Sequence, residues 1–119
     1  MKSFFLALLF AVSGYAASAA EPYLGTFTYQ YDKGNTYRVT VPDDKTLTWE
    51  CVEGSEKGAK GEEHPDRFKV AEKTYFATWV EKTGIVVTQV LNFKSNTVHG
   101  TIVQGKNRYV LVGKIKREK

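Results

Sequence analysis

The chain has one cysteine, one methionine and three prolines among its 119 residues. A lone thiol, Cys51, excludes an internal disulfide, so the fold must be held by its core. The two histidines, His64 and His99, fall in a loop and in a strand and do not supply the three protein ligands that catalytic zinc takes; no metal site is expected. No nucleophile elbow, Gly-rich phosphate loop or serine-triad order occurs, which leaves hydrolase and nucleotide chemistry without support. No stretch sustains a 3.6-residue apolar period, so no long helix is expected. After residue 20 no apolar run approaches the roughly 20 residues that a bilayer span needs, so stable membrane insertion is not expected.

Charge of one sign is also scarce. Lys and Arg number 17 against 13 Asp and Glu, a formal net charge of +4, to which Lys2 contributes one. The basic residues are scattered between strands and along the C-terminal end (Lys114, Lys116, Arg117, Lys119). They read as a solvated surface, with weak attraction to anions as the alternative, and nucleic acid is not an expected partner.

What is present begins with a leader. Met1-Lys2-Ser3 precedes the apolar run Phe4 to Val12 and the small residues Ala16 to Ala20, with Ala17-Ser18-Ala19 matching the small-x-small cleavage rule. Residues 1–20 are expected to be a cleaved signal peptide, residues 21–119 a single domain, and the product secreted or periplasmic.

The remainder is a succession of short alternating segments closed by turn residues. Phe27, Tyr29 and Tyr31 share one face of a strand near 24–31, and Tyr37, Val39 and Val41 one face of the next. Leu47, Trp49 and Cys51 share a face of a third. Residues 53–63, with Gly54, Gly58 and Gly61, lack apolar periodicity and read as the longest loop, a site of function or a plain surface loop. Further strands are expected over 67–71, 75–81, 85–93, 97–103 and 109–115. The whole reads as all-β, an eight-stranded up-and-down barrel, with a sandwich as the alternative.

Two groups of residues stand out chemically. Tyr29 and Tyr31, two residues apart, can point two phenols into one cavity or simply pack in a core. Tyr75, Ala77, Trp79 and Glu81 share a face, so Glu81 is the chain's best acid/base candidate if that face is interior. If the strand ends at Val80, Glu81 is instead a solvated turn residue. Alternation defines two faces without saying which one is inner.

Phe27-Thr28-Tyr29-Gln30-Tyr31-Asp32-Lys33-Gly34 with Tyr37, then Thr78 to Gly84, Asn92-Phe93 and Val98-His99-Gly100, resemble the N-terminal barrel half of bacterial phenolic acid decarboxylases over about residues 27–103. The run Tyr37 to Trp49 and the Glu56-Lys57-Gly58 loop look closer to the MoaF-like domain, a lipocalin-like module. Both resemblances imply a calycin-type β-barrel. The decarboxylase resemblance implies a cofactor-free lyase on hydroxycinnamate-type acids, with Tyr29 and Tyr31 orienting the substrate carboxylate and Glu81 handling the phenolic proton. Its arginine has no counterpart, since the matching place, near Ala59, offers only Lys57 and Lys60, which lack a guanidinium's fork. The expected function is therefore binding of a small aromatic or amphipathic molecule among Tyr29, Tyr31, Trp49, Tyr75, Trp79 and Glu81, without a cofactor. The lyase is one alternative and a protein-interaction module with a packed barrel the other.

Overall fold

The computed structural model describes residues 23–118; the expected leader over residues 1–20 lies outside them. Nine strands follow one another: β1 (Gly25–Tyr31), β2 (Thr36–Asp43), β3 (Thr46–Glu53), β4 (Lys60–Glu63), β5 (Asp66–Ala71), β6 (Thr74–Val80), β7 (Val86–Asn92), β8 (Thr97–Gln104) and β9 (Asn107–Arg117). They form one sheet in the order β4-β3-β2-β1-β9-β8-β7-β6-β5, and every adjacent pair is antiparallel. The sheet curls into a half-barrel. All-β architecture is as expected; the count of eight strands and the closed barrel are not.

Both differences arise at one place. Residues 60–63, expected to belong to a loop, pair with β3 as Leu47↔Glu63 and Trp49↔Gly61. The inward positions of β4 are thus a glycine and a glutamate, which carry no apolar alternation. Gly61 is favoured there by contact: a Cβ would lie 3.0 Å from three atoms of the Trp49 indole, which would have to shift by a few tenths of an ångström. Glu63 is buried and accepts a 2.9 Å hydrogen bond from Trp49 Nε1.

Because all neighbours are antiparallel, the two terminal strands of a nine-strand order run in the same direction. The chain passes from β4 to β5 through His64-Pro65 alone, so these strands are two halves of one bent pass. Proline lacks a donor and breaks the ladder there. The first half pairs with β3 and the second with β6, leaving a seam without a backbone ladder. Arg67 of β5 stitches one end of it, donating from Nη1 to Asp43 O at 2.8 Å and from Nη2 to Thr46 O at 3.3 Å.

Period-two alternation turns Phe27, Tyr29, Val39, Val41, Leu47, Tyr75, Ala77, Leu91, Val98 and Ile115 inward, where they are buried. One end of the half-barrel is filled by aromatic rings. Tyr23 lies 5.4 Å from Tyr75 and 5.6 Å from Phe93 between centroids, and Phe27 lies 5.4 Å from Phe93. Two guanidiniums cover this end, Arg67 at 4.4 Å over the Tyr23 ring and Arg117 at 4.6 Å over Phe27, arrangements that favour the cation by the ring quadrupole. Burial pushes the Tyr23 phenol up to about 12 against the opposing charge of Arg67.

Candidate functional site

The other end is a cavity of about 490 Å³, within the size range of small-molecule sites. Its floor is made by Tyr29, Tyr31 and Gln89, and its walls by Tyr37, Val39, Leu47, Trp49, Trp79, Val87, Ile102 and Leu111. The rim comes from turns: Lys33, Gly34 and Asn35 after β1, Ser55 and Glu56 after β3, Glu81 and Ile85 after β6, and Gln104 with Tyr109 at the β8–β9 hairpin. The half-barrel is a cup, plugged at one end and open at the other.

Of the sequence-predicted residues, Tyr29, Tyr31, Trp49, Trp79 and Glu81 all line this cavity. Tyr75 does not; it is buried in the aromatic plug, its ring 6.0 Å from that of Phe93. Trp79 and Tyr75 share a face of β6, but four residues separate them by about 13 Å along a strand, which sends one to the mouth and the other to the plug.

The phenol pair is arranged in depth. Tyr31 accepts a 2.7 Å hydrogen bond from Gln89 Nε2, leaving its own O–H available to a further acceptor. The Tyr29 hydroxyl is buried beside the phenol of Tyr23, and Gln89 Oε1 is buried without a hydrogen-bond partner. Burial raises the pKa of both tyrosines, with Tyr23 and Tyr31 adding to the effect at Tyr29. Both are therefore neutral donors under ordinary conditions.

Glu81 settles between the two readings of its position. The strand does end at Val80, yet the turn holds Glu81 at the cavity: its N–H donates to Ile85 O and its carbonyl accepts from Gly84 N–H, both at 2.8 Å. Its Oε2 accepts from Trp79 Nε1 at 3.3 Å. Desolvation raises its pKa; the Trp79 bond opposes that, and the carboxylates of Glu63 and Glu56 raise it further.

Two Trp–Glu pairs therefore flank the mouth half of the seam, Trp49 with Glu63 on β3–β4 and Trp79 with Glu81 at the end of β6. β5 pairs with β6 only as far as Thr78, so Trp79 lies beyond the paired segment. A third carboxylate, Glu56, accepts 2.8 Å from the Tyr37 hydroxyl, itself an acceptor for Asn35 Nδ2 at 3.2 Å. Burial, followed by the bond to Glu56, raises the Tyr37 pKa. Tyr37, Gln89 and Glu56 were not predicted as site residues. The parity of Tyr37 with Val39 was a usable signal; Gln89 and Glu56 carry none without the register. Among the described residues no group of three or more His, Cys, Asp or Glu is placed to hold a metal.

Comparison with known proteins gives a coherent picture of the fold. A family model described as MoaF-like matches residues 25–116, which takes in all but the last residue of the nine strands. Among solved structures, a protein of Burkholderia vietnamiensis described as a "putative beta-lactamase" is similar at 25% identity with a TM-score of 0.75, over 82% of this chain and 96% of that one. No curated protein matches the chain.

Proposed function

We propose that this chain, which belongs to the MoaF-like family, binds a small aromatic or amphipathic molecule in its open cup. The observation that carries the reading is the cavity of about 490 Å³, walled by Tyr37, Trp49 and Trp79 over the ring of Tyr29, with Tyr31 and Glu81 among its polar groups. Small-molecule sites combine an apolar wall with a few polar groups that fix orientation. The same reading takes the protein as exported, its leader removed near residue 20; N-terminal sequencing of the protein recovered outside the cytoplasm should begin at about that point.

The decarboxylase-like reaction is not proposed. Among the described residues no arginine lines the cavity and Lys33 is its one cation, and Arg67 is engaged at the plugged end. Hydrolysis of a β-lactam is not carried over from the Burkholderia vietnamiensis protein either, since no serine in this chain is followed three positions later by lysine.

The test is titration with N-phenyl-1-naphthylamine, a neutral apolar fluorophore, with Ile102→Trp as a cavity-filling control. Saturable one-to-one enhancement that is lost in a folded Ile102→Trp variant is expected. Absence of saturable binding, or equal binding by the variant, would overturn the reading.

A further inference from the structure

We propose that the ligand of this cup is an organic cation, an ammonium-bearing molecule whose apolar body lies against the tryptophan wall and whose charged head sits between Glu81 and Glu56 at the mouth. The inference rests on the small-molecule reading above and adds the charge class of the ligand. It runs opposite to the anionic substrate that the decarboxylase resemblance implies.

The first support is the balance of charge. Glu56 and Glu81 line the cavity against Lys33 alone, and Glu63 stands behind Trp49, its carboxylate on the indole N–H. Lys33 and Glu56 are both exposed and screened by salt, whereas partly buried charges are screened much less. Glu81 is half-buried, so the least screened ionisable group at the mouth is a carboxyl group. The charged groups acting on Glu81 are Glu63 and Glu56, both of which disfavour its ionised form. A bound cation would relieve that repulsion.

The second support is the aromatic wall. Tyr37 and Trp49 pack edge-on with centroids 5.6 Å apart, and Tyr31 meets Tyr37 in the same way at 5.9 Å. Together with Trp79 they form an aromatic wall, and ring faces attract cations, most strongly once water is excluded. The indole donors of Trp49 and Trp79 and the Tyr37 hydroxyl are already given to carboxylates, which leaves the Tyr31 O–H as the donor this wall can still offer.

Three probes that share one ring body separate charge from shape: 1-naphthylmethylammonium, 1-naphthalenemethanol and 1-naphthoate, each titrated calorimetrically into the full mature chain. The expected result is binding of the ammonium about tenfold or more tighter than the naphthoate, with the alcohol between them, the order that a mouth carrying two carboxyl groups implies. In Glu56→Gln with Glu81→Gln the preference should shrink to about twofold while the alcohol is unchanged. If that variant does not fold, the wild type decides: ammonium affinity should fall with added salt and with acidification through the carboxylate range. Equal or tighter binding of naphthoate, or ammonium binding indifferent to salt and pH, overturns the charge assignment and leaves the small-molecule reading standing. No binding of any of the three overturns both.

Discussion

Removing the Tyr31 hydroxyl is a direct measure of whether the cup floor is a built polar network. In Tyr31→Phe the ring keeps its contact with Tyr37, 5.9 Å between centroids, and only the acceptor for Gln89 Nε2 disappears. That bond is 2.7 Å long and Gln89 is 3% exposed. Gln89 Oε1 already has no partner, so the variant buries an amide with neither end satisfied. Leaving a buried polar group unpaired costs about 1–3 kcal/mol, more than a hydrogen bond contributes net. For a domain of this size that is a fall in melting temperature on the order of 10 °C.

The partner experiment follows from the same asymmetry. Replacing both members by apolar residues, Tyr31→Phe with Gln89→Leu, should recover most of the loss because no buried donor is left over. Urea unfolding followed by tryptophan fluorescence reads all four corners of the cycle, with an unchanged m-value as the check that only stability has moved. A Tyr31→Phe variant within about 0.5 kcal/mol of wild type, or a double variant whose cost is the sum of the singles, would refute the reasoning. Either result would mean that solvent in the cup, not Tyr31, satisfies the amide.

Three further outcomes are expected. Gly100→Ala places a Cβ 2.0 Å from Thr88 O, a backbone atom that cannot swing away, so a loss of about 3 kcal/mol or more is expected in denaturant; a loss under about 1 kcal/mol would show that the β7–β8 ladder can shift. Arg67→Lys keeps the charge but not the fork that reaches both Asp43 O and Thr46 O, and should lose roughly 1–3 kcal/mol, with hydrogen exchange rising at the β2–β3 turn. Glu81 has a folded pKa raised above its ordinary 4.5, so the folded chain holds the proton more tightly than the unfolded one. Its contribution is full below the ordinary value and is lost as pH rises through the raised one. Glu81→Gln should therefore match or exceed wild-type melting temperature at neutral pH, with the difference closing as pH falls to about 4; a variant less stable at neutral pH alone would reverse the sign.

Alternation made most of the fold legible. Every predicted strand exists, and the parity of Tyr29, Tyr31, Trp49 and Trp79 placed them on faces that prove to be interior. β4 escaped because its inward residues, Gly61 and Glu63, are selected by the Trp49 side chain against which they lie, one by contact and one by a hydrogen bond. Nothing local to residues 60–63 encodes that. Tyr75 was grouped with Trp79 for the same kind of reason: parity says which face a residue occupies but not how deep it lies. Depth is fixed by the register with β7, where Tyr75 pairs with Leu91 and Trp79 with Val87. Glu81 was left open because its orientation depends on hydrogen bonds across the turn to Ile85 and Gly84, beyond the end of the strand's alternation.

The divided fourth pass links the stability of the cup to its accessibility. Over its plugged half the pass pairs with β6, and Arg67 bridges the other side to the β2–β3 turn. Over its mouth half it pairs with β3, and the side facing Trp79 and Glu81 has no ladder. Ladder bonds that close a barrel also fix its bore, so a sheet left open beside the cavity can widen there without breaking a backbone hydrogen bond. The aromatic plug and its two guanidiniums hold the opposite end. Substitutions in the plug should thus act on unfolding free energy with the mouth unaltered, whereas substitutions in the two Trp–Glu pairs at the seam should act on what enters. Hydrogen exchange separates the two directly: on this reasoning, amides of Trp79 and Val80 exchange by local opening and are slowed by a bound ligand, while those of Tyr75 to Ala77 exchange only with global unfolding. Equal protection along the whole of β6 would mean that the seam is closed by something other than a ladder.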